Sequence, residues 1–196
     1  MDDAAARDAD TPGTVEIDGV RALGTQLSRI DGRVGTLADR ASSGPVLVVV
    51  VEHGCPTARA ALRALVDAGG RVAVVSQGRP EAAWVLVDAT GAHDLDVWVE
   101  PAPHRVSEAL AATTVPTFVL FDGLEPVAWQ DGWDREVVAP LISRAGGELI
   151  TDVGLGAYRP GCSSRLGQDP EQLAGSEAAD ALLVTPREPQ DDPVGW

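Results

Sequence analysis

The most hydrophobic run of the chain is Pro45 to Val51, PVLVVVV, bounded by Ser-Gly before it and Glu-His-Gly after it. A continuous β-branched run with no polar alternation is expected for a central strand covered on both faces. Directly after it, Ala58, Ala61, Leu62, Leu65 and Val66 recur at helical spacing, with Pro56 in the first turn and Gly69-Gly70 as a stop. That pattern predicts an amphipathic helix and places Cys55 at or beside its N-cap. Arg71 to Val75 reads as a second strand, Leu95 to Val99 as a third, and His104 to Ala112 as a short helix. Pro80 to Ala92 opens like a helix but contains Trp84-Val85-Leu86-Val87, which favours strand; helix is the expectation. Thr117 to Phe121 and Pro126 to Gln130 form a strand pair across a glycine-containing turn. Asp134 then caps a last helix to Ala145, in which Pro140 should produce a kink or a break.

Strands alternating with helices, then a hairpin and a final helix, predict an α/β domain with a central mixed sheet flanked by helices. Val15 to Ser43 is mixed and interrupted by glycines, consistent with short strands or a helix. Residues 1–12 read as a disordered acidic tail and residues 13–146 as the domain. Residues 147–196, rich in Gly, Pro, Ser, Glu and Asp, read as a partly irregular extension that wraps the domain or stays mobile.

Charge narrows the functional classes. With 196 residues and a net charge of −15, the chain is ill suited to nucleic acid or an anionic membrane surface. The acidic start MDDAAARDADTPGT lacks a secretory apolar core, and no later run reaches the ~18 apolar residues of a membrane span. A soluble, cytoplasmic protein is the expectation. Cys55 and Cys162 are too few for a disulfide framework, and a permanent bridge is unusual in a reducing compartment.

Several motifs occur together in a meaningful order: GCPTA at a strand-to-helix turn, a strand ending in VVSQ, the segment EPAPHRVSEALAATTVPTFVLFD, and the pair Gly132-Trp133. In this order the stretch from about Gly44 to Gly146 resembles the thioredoxin-like redoxins, the superfamily of peroxiredoxins and thiol-disulfide oxidoreductases. The resemblance implies a thioredoxin-like fold and a cis Val115-Pro116 bond facing Cys55. It also marks two departures: Ala58 stands where the usual second cysteine lies, and Glu52 stands where peroxiredoxins carry a threonine. Neither standard mechanism transfers intact.

The leading expectation is therefore a redoxin-type oxidoreductase. Cys55 would attack a disulfide, a peroxide or another electrophile, and a small-molecule or protein thiol/disulfide would be the substrate. No cofactor is called for. The helix N-terminus favours a thiolate at Cys55; Arg59, one turn on, and His53 are the candidate supporting groups, with Glu52 opposing them. Thr57, Val115, Pro116 and Trp133 are candidate substrate contacts. Cys162, between Arg159 and Arg165 in a turn-forming segment, is either a resolving thiol brought back across the domain or an exposed loop cysteine. Cys55 itself is either reactive or a small buried apolar residue. His93 and His104 read as solvent-facing, and Trp84, Trp98, Trp129 and Trp133 chiefly as packing residues.

Two other functions compete. Cys55, Cys162 and His53 offer a soft-metal or organometal donor set, although their spacing matches no recognised metal motif. A non-catalytic thioredoxin-fold binding module is the third reading, and Ala58 supports it directly. The thiolate argument yields a measurable expectation: alkylation of reduced Cys55 should titrate below the ~8.5 of a free thiol, and a midpoint at or above that value would contradict it.

Overall fold

The computed structural model describes residues 16–149 and 155–166. In chain order the elements are α1 (Gly19–Gly24), β1 (Gln26–Arg29), β2 (Val34–Thr36), α2 (Ala38–Ala41), β3 (Val46–Glu52), α3 (Pro56–Ala68), β4 (Val72–Gln77) and α4 (Pro80–Thr90). A 3-10 turn, Ala92–Asp94, leads to β5 (Asp96–Glu100), α5 (Arg105–Ala109), β6 (Thr114–Val115), β7 (Thr117–Asp122) and β8 (Glu125–Asp131). They are followed by β9 (Trp133–Asp134), α6 (Arg135–Arg144), β10 (Tyr158–Arg159) and β11 (Cys162–Ser163).

The main sheet has seven strands in the order β2-β1-β5-β4-β3-β7-β8. β3, β4 and β5 run parallel, and β7 and β1 join them antiparallel on either side. Every residue of β3 is buried, which explains why its sequence shows no alternation. The crossovers β3–α3–β4 and β4–α4–β5 both step toward β5, so right-handed connections put α3 and α4 together, and they pack against each other. α1 packs with α5. A single apolar core runs through these layers, with Leu65, Phe118, Leu120 and Ile142 fully enclosed.

The stretch that the pattern left undecided, before Ser43, supplies α1, β1, β2 and α2; β1 and β2 extend the sheet at one edge. The ambiguous segment is the helix α4, closed by Gly91 at φ 74. Pro126 sits on the edge strand β8 beside a register shift at Leu120/Phe121, where a missing N–H is tolerated. Pro140 does not end the last helix: α6 continues to Arg144, with Val138, Leu141 and Ile142 buried on its inner side. Packing of that face outweighs the loss of one helical hydrogen bond. His104 also departs from expectation. It is buried, at φ 55 before α5, with Nδ1 3.1 Å from the Glu100 carbonyl, whereas His93 is exposed. Trp84 is half exposed, while Trp98 and Trp133 are core residues.

The expected tail, residues 1–12, and most of residues 147–196 lie outside the described residues. Within the latter, residues 155–166 form an ordered strap along the domain, anchored by Leu155 in the core. Among the described residues no helix is long and apolar enough to cross a membrane. Leu65→Ala should cost about 2–5 kcal/mol in urea unfolding. Val34→Thr, on the exposed edge strand, should change stability by no more than about 0.5 kcal/mol; equal losses at the two sites would contradict this core assignment.

Candidate functional site: a cysteine pair beneath a C-terminal strap

Three adjacent parallel strands each finish on a polar residue at the same level. In register, Glu52 of β3 pairs with Gln77 of β4, and Gln77 pairs with Glu100 of β5. The carboxyl end of such a sheet is where α/β domains build their sites, because chain departing from each strand converges there. Glu52-His53-Gly54-Cys55 makes the turn out of β3. The Cys55 N–H donates to Glu52 O at 3.2 Å, and the Gly54 N–H donates to Glu52 Oε2 at 2.9 Å. Cys55 is the N-cap of α3, with extended backbone and the Ala58 N–H pointing at its sulfur, 3.4 Å away.

The strap crosses this end in two short antiparallel steps. β10 pairs with β9, matching Tyr158 to Asp134 and Arg159 to Trp133; β11 pairs with β6, matching Cys162 to Val115 and Ser163 to Thr114. The first step is held by Trp133, whose Nε1 donates to Gly156 O at 3.2 Å while its ring meets Phe118 edge-on at 6.2 Å. Between the steps the Thr57 hydroxyl donates to Pro160 O at 3.0 Å. Close passage depends on two glycines. A Cβ on Gly132, which has φ 65, would come within 2.9 Å of Gly161 N, and one on Gly161 would lie 2.6 Å from Val115 O.

This path brings Cys162 onto Cys55. The two are joined as a disulfide, Cα to Cα 5.9 Å, across 107 residues of sequence. The Val115–Pro116 peptide is cis, and Cys55 Sγ lies 3.3 Å from Val115 O. Cys55 is only 1% exposed, whereas Cys162 is partly accessible. Within the disulfide, the Cys55 sulfur faces one donor, the Ala58 N–H at the helix end, and one acceptor, the Val115 carbonyl.

Beyond Cys162 the strap plunges into the polar ends of the strands. Ser164 is fully buried; its N–H donates to Thr113 O at 2.9 Å and its hydroxyl to Ala112 O at 2.5 Å. Arg165 is 3% exposed. Its N–H donates to Gln77 Oε1 at 2.9 Å, and its Nη2 lies 3.3 Å from Glu52 Oε1, while His53 Nδ1 lies 2.9 Å from the same oxygen. Gln77 passes the connection on, donating to Ser107 Oγ at 2.8 Å, and the Ser107 hydroxyl donates to Glu100.

The two carboxyls of this network are shifted in opposite directions. Burial pushes the Glu52 carboxyl up, but the His53 hydrogen bond and the charges of His53 and Arg165 outweigh it and hold the group below its ordinary range. Burial raises the Glu100 carboxyl above its ordinary range, and hydrogen bonds from Ser107 and the Val106 N–H only partly offset it.

Of the residues singled out from sequence, Cys55, Cys162, Thr57, Val115, Pro116 and Trp133 converge here. Arg59 lies on the exposed side of α3, and the guanidinium beside the strand ends is that of Arg165. His53 adjoins Glu52. Gly161, Ser164, Arg165, Gln77, Ser107 and Glu100 were not singled out; the recurring polar termini VVE, SQ and WVE were the available signal. Among the described residues no cluster of three or more His, Cys, Asp or Glu side chains is placed to hold a metal ion.

The architecture is that of a thioredoxin-like fold. The uncharacterized conserved protein from Geobacillus kaustophilus is 18% identical with a TM-score of 0.57, over 80% of this chain and 95% of that one. The MTB dsbF structure, in its mixed oxidized and reduced forms, is 14% identical with a TM-score of 0.53, over 63% of this chain and 96% of that one. A Chlorobium tepidum structure is 16% identical with a TM-score of 0.52, over 64% of this chain and 94% of that one. No known family profile matches the sequence, and no curated protein matches it.

Glu52 also sets a pH dependence. Because its folded pKa is depressed, the stability it contributes is present above the ordinary carboxylate range and is lost as pH falls through the folded value. Glu52→Gln should therefore destabilise the protein near neutrality and much less in acid, once the pH has fallen below the folded carboxyl's own value. Equal urea-unfolding losses at both pH values would contradict the ion-paired assignment.

Proposed function

We propose that the chain is a thiol-disulfide oxidoreductase whose redox pair is Cys55 and Cys162, the strap cysteine taking the role that Ala58 cannot fill. The observation that carries this reading is the bonded pair at the N-cap of α3, with Cys162 held by β pairing to Val115.

Accessibility and leaving-group quality support an order of events. A client thiolate reaches the partly accessible Cys162 sulfur rather than the enclosed Cys55. A new client–Cys162 bond forms as the Cys55–Cys162 bond breaks, and its electron pair leaves on Cys55, facing the Ala58 N–H. A second client thiolate then attacks the mixed disulfide, releasing the client disulfide and the Cys162 thiolate, which takes a proton from water. Two electrons pass from the client dithiol to the protein disulfide, which becomes a dithiol. Run backwards, the same steps reduce a client disulfide, and an external thiol/disulfide couple closes the cycle. As a cycling pair rather than a permanent bridge, it is compatible with the cytoplasmic setting expected from the sequence.

Cys55→Ser and Cys162→Ser should each abolish turnover of a peptide dithiol/disulfide substrate while leaving the circular dichroism spectrum unchanged. Oxidised protein mixed briefly with glutathione and quenched in acid should carry glutathione on Cys162, mapped by mass spectrometry. Glutathione chiefly on Cys55 would reverse the order of events. Full turnover by either serine variant would refute the pair and favour a non-catalytic binding role.

A further inference from the structure

The strap is itself a polypeptide lying in a groove, and each of its residues records what that groove accepts. Its backbone is read by β6 in antiparallel pairing, Cys162 opposite Val115 and Ser163 opposite Thr114. This ladder is indifferent to side chains and would suit any extended segment. The flanking positions are different, because at each one the wall or its chemistry constrains the occupant.

Immediately before the cysteine, a Cβ at position 161 would lie 2.3 Å from Thr114 Cγ2 and 2.6 Å from Val115 O. The obstacle includes backbone, so only glycine fits without displacing β6. Two residues after the cysteine, Ser164 is fully enclosed and its hydroxyl donates to Ala112 O, which admits a small donor and excludes a large side chain. Three residues after, Arg165 reaches the buried Glu52 carboxyl, and its backbone N–H meets Gln77. A cation is favoured there, since Arg165 adds to the His53 and Gly54 contacts that hold the buried Glu52 carboxylate, and an acidic replacement would repel it. Ser163, by contrast, is exposed and carries no such constraint.

We propose that, once the Cys55–Cys162 bond is reduced and the strap is displaced, this groove binds an extended cysteine-bearing polypeptide in the same antiparallel register and selects the sequence Gly-Cys-x-Ser-Arg. The proposal rests on the reading of Cys55 and Cys162 as an exchange pair and adds a second route, in which the Cys55 thiolate released by reduction takes a client sulfur in place of Cys162; it names the class of that client: a polypeptide with glycine before the reacting cysteine and a basic residue three places after it. The net charge of −15 adds a long-range attraction for such basic segments.

The test uses the full-length protein with Cys162→Ser, reduced, and short peptides whose cysteine is activated as a thionitrobenzoate mixed disulfide. Cys55 thiolate attacks the peptide sulfur, a Cys55–peptide disulfide forms, and thionitrobenzoate leaves with the electron pair, so its absorbance reports the rate. Peptides containing Gly-Cys-Ser-Ser-Arg should react faster than those containing Ala-Cys-Ser-Ser-Arg or Gly-Cys-Ser-Ser-Glu by about tenfold or more in each comparison. Adding Glu52→Gln should remove most of the preference for arginine over glutamate and keep the preference for glycine over alanine. In reduced wild-type protein, the peptide found bonded to Cys55 after an acid quench and mapping by mass spectrometry should follow the same ranking, which guards against misfolding of the variant.

Activated glutathione separates the possible failures. If it reacts at Cys55 but all the peptides react equally, the selectivity is overturned and the exchange reading stands. If neither it nor any peptide reacts, the exchange reading fails and the substrate proposal with it. If the protein instead forms disulfide-linked dimers through the strap of a second copy and excludes the peptides, the groove serves self-association and the proposal is refuted.

Discussion

The antiparallel contact between Gly161-Cys162-Ser163 and Thr114-Val115 is the constraint on which the site depends. Two hydrogen-bonded residues are a weak ladder alone, and a bare sheet edge would hold such a segment only loosely. Here the ladder is closed by a covalent bond between Cys55 and Cys162, spanning 107 residues. In the chain-entropy account, a bond closing a loop of roughly that length contributes about 4–5 kcal/mol through the unfolded state. The N-cap geometry of α3 fixes one sulfur, the β6–β11 register fixes the other, and neither position makes chemical sense without its counterpart.

The same contact completes the electrostatics of the domain. Parallel strands β3, β4 and β5 deliver Glu52, Gln77 and Glu100 to one buried level. Glu100 is supplied with donors from within the domain, by Val106 and Ser107. Glu52 receives the Gly54 N–H and its neighbour His53 from within the domain, and Arg165 arrives from the strap. Breaking a buried pair by removing one partner costs about 3–5 kcal/mol. The Cys55–Cys162 disulfide and part of the charge compensation at Glu52 are thereby tied to a single docking event. Gly132 and Gly161 make that event sterically feasible, because a side chain at either position would push the strap off the domain.

Much of the domain was legible in the chain. The β-branched run of β3, the alanine-leucine face of α3 and the proline-glycine punctuation around it are local signals, and they placed Cys55 at an N-cap. The thioredoxin-like order of motifs was visible for the same reason. Short elements before Ser43 were not, since a three-residue strand such as β2 carries too little periodicity and acquires its conformation from its neighbour β1. Arg59 looked like the supporting cation because spacing of four residues is the only relation that sequence displays directly. Arg165, distant from Glu52 in sequence, meets it through a chain reversal that no local pattern encodes. His104 was misjudged because a residue flanking a loop was expected at the surface, whereas its ring turns inward to the Glu100 carbonyl.

If the strap and the sulfur bond form one unit, opening the bond opens the groove. Backbone hydrogen exchange of the wild-type protein, oxidised and then reduced, reads this most directly. The Ser164 and Arg165 amides, which donate to Thr113 and Gln77 in the closed form, should lose protection on reduction while the β3 amides keep theirs. Unchanged protection across the strap after complete reduction would contradict it.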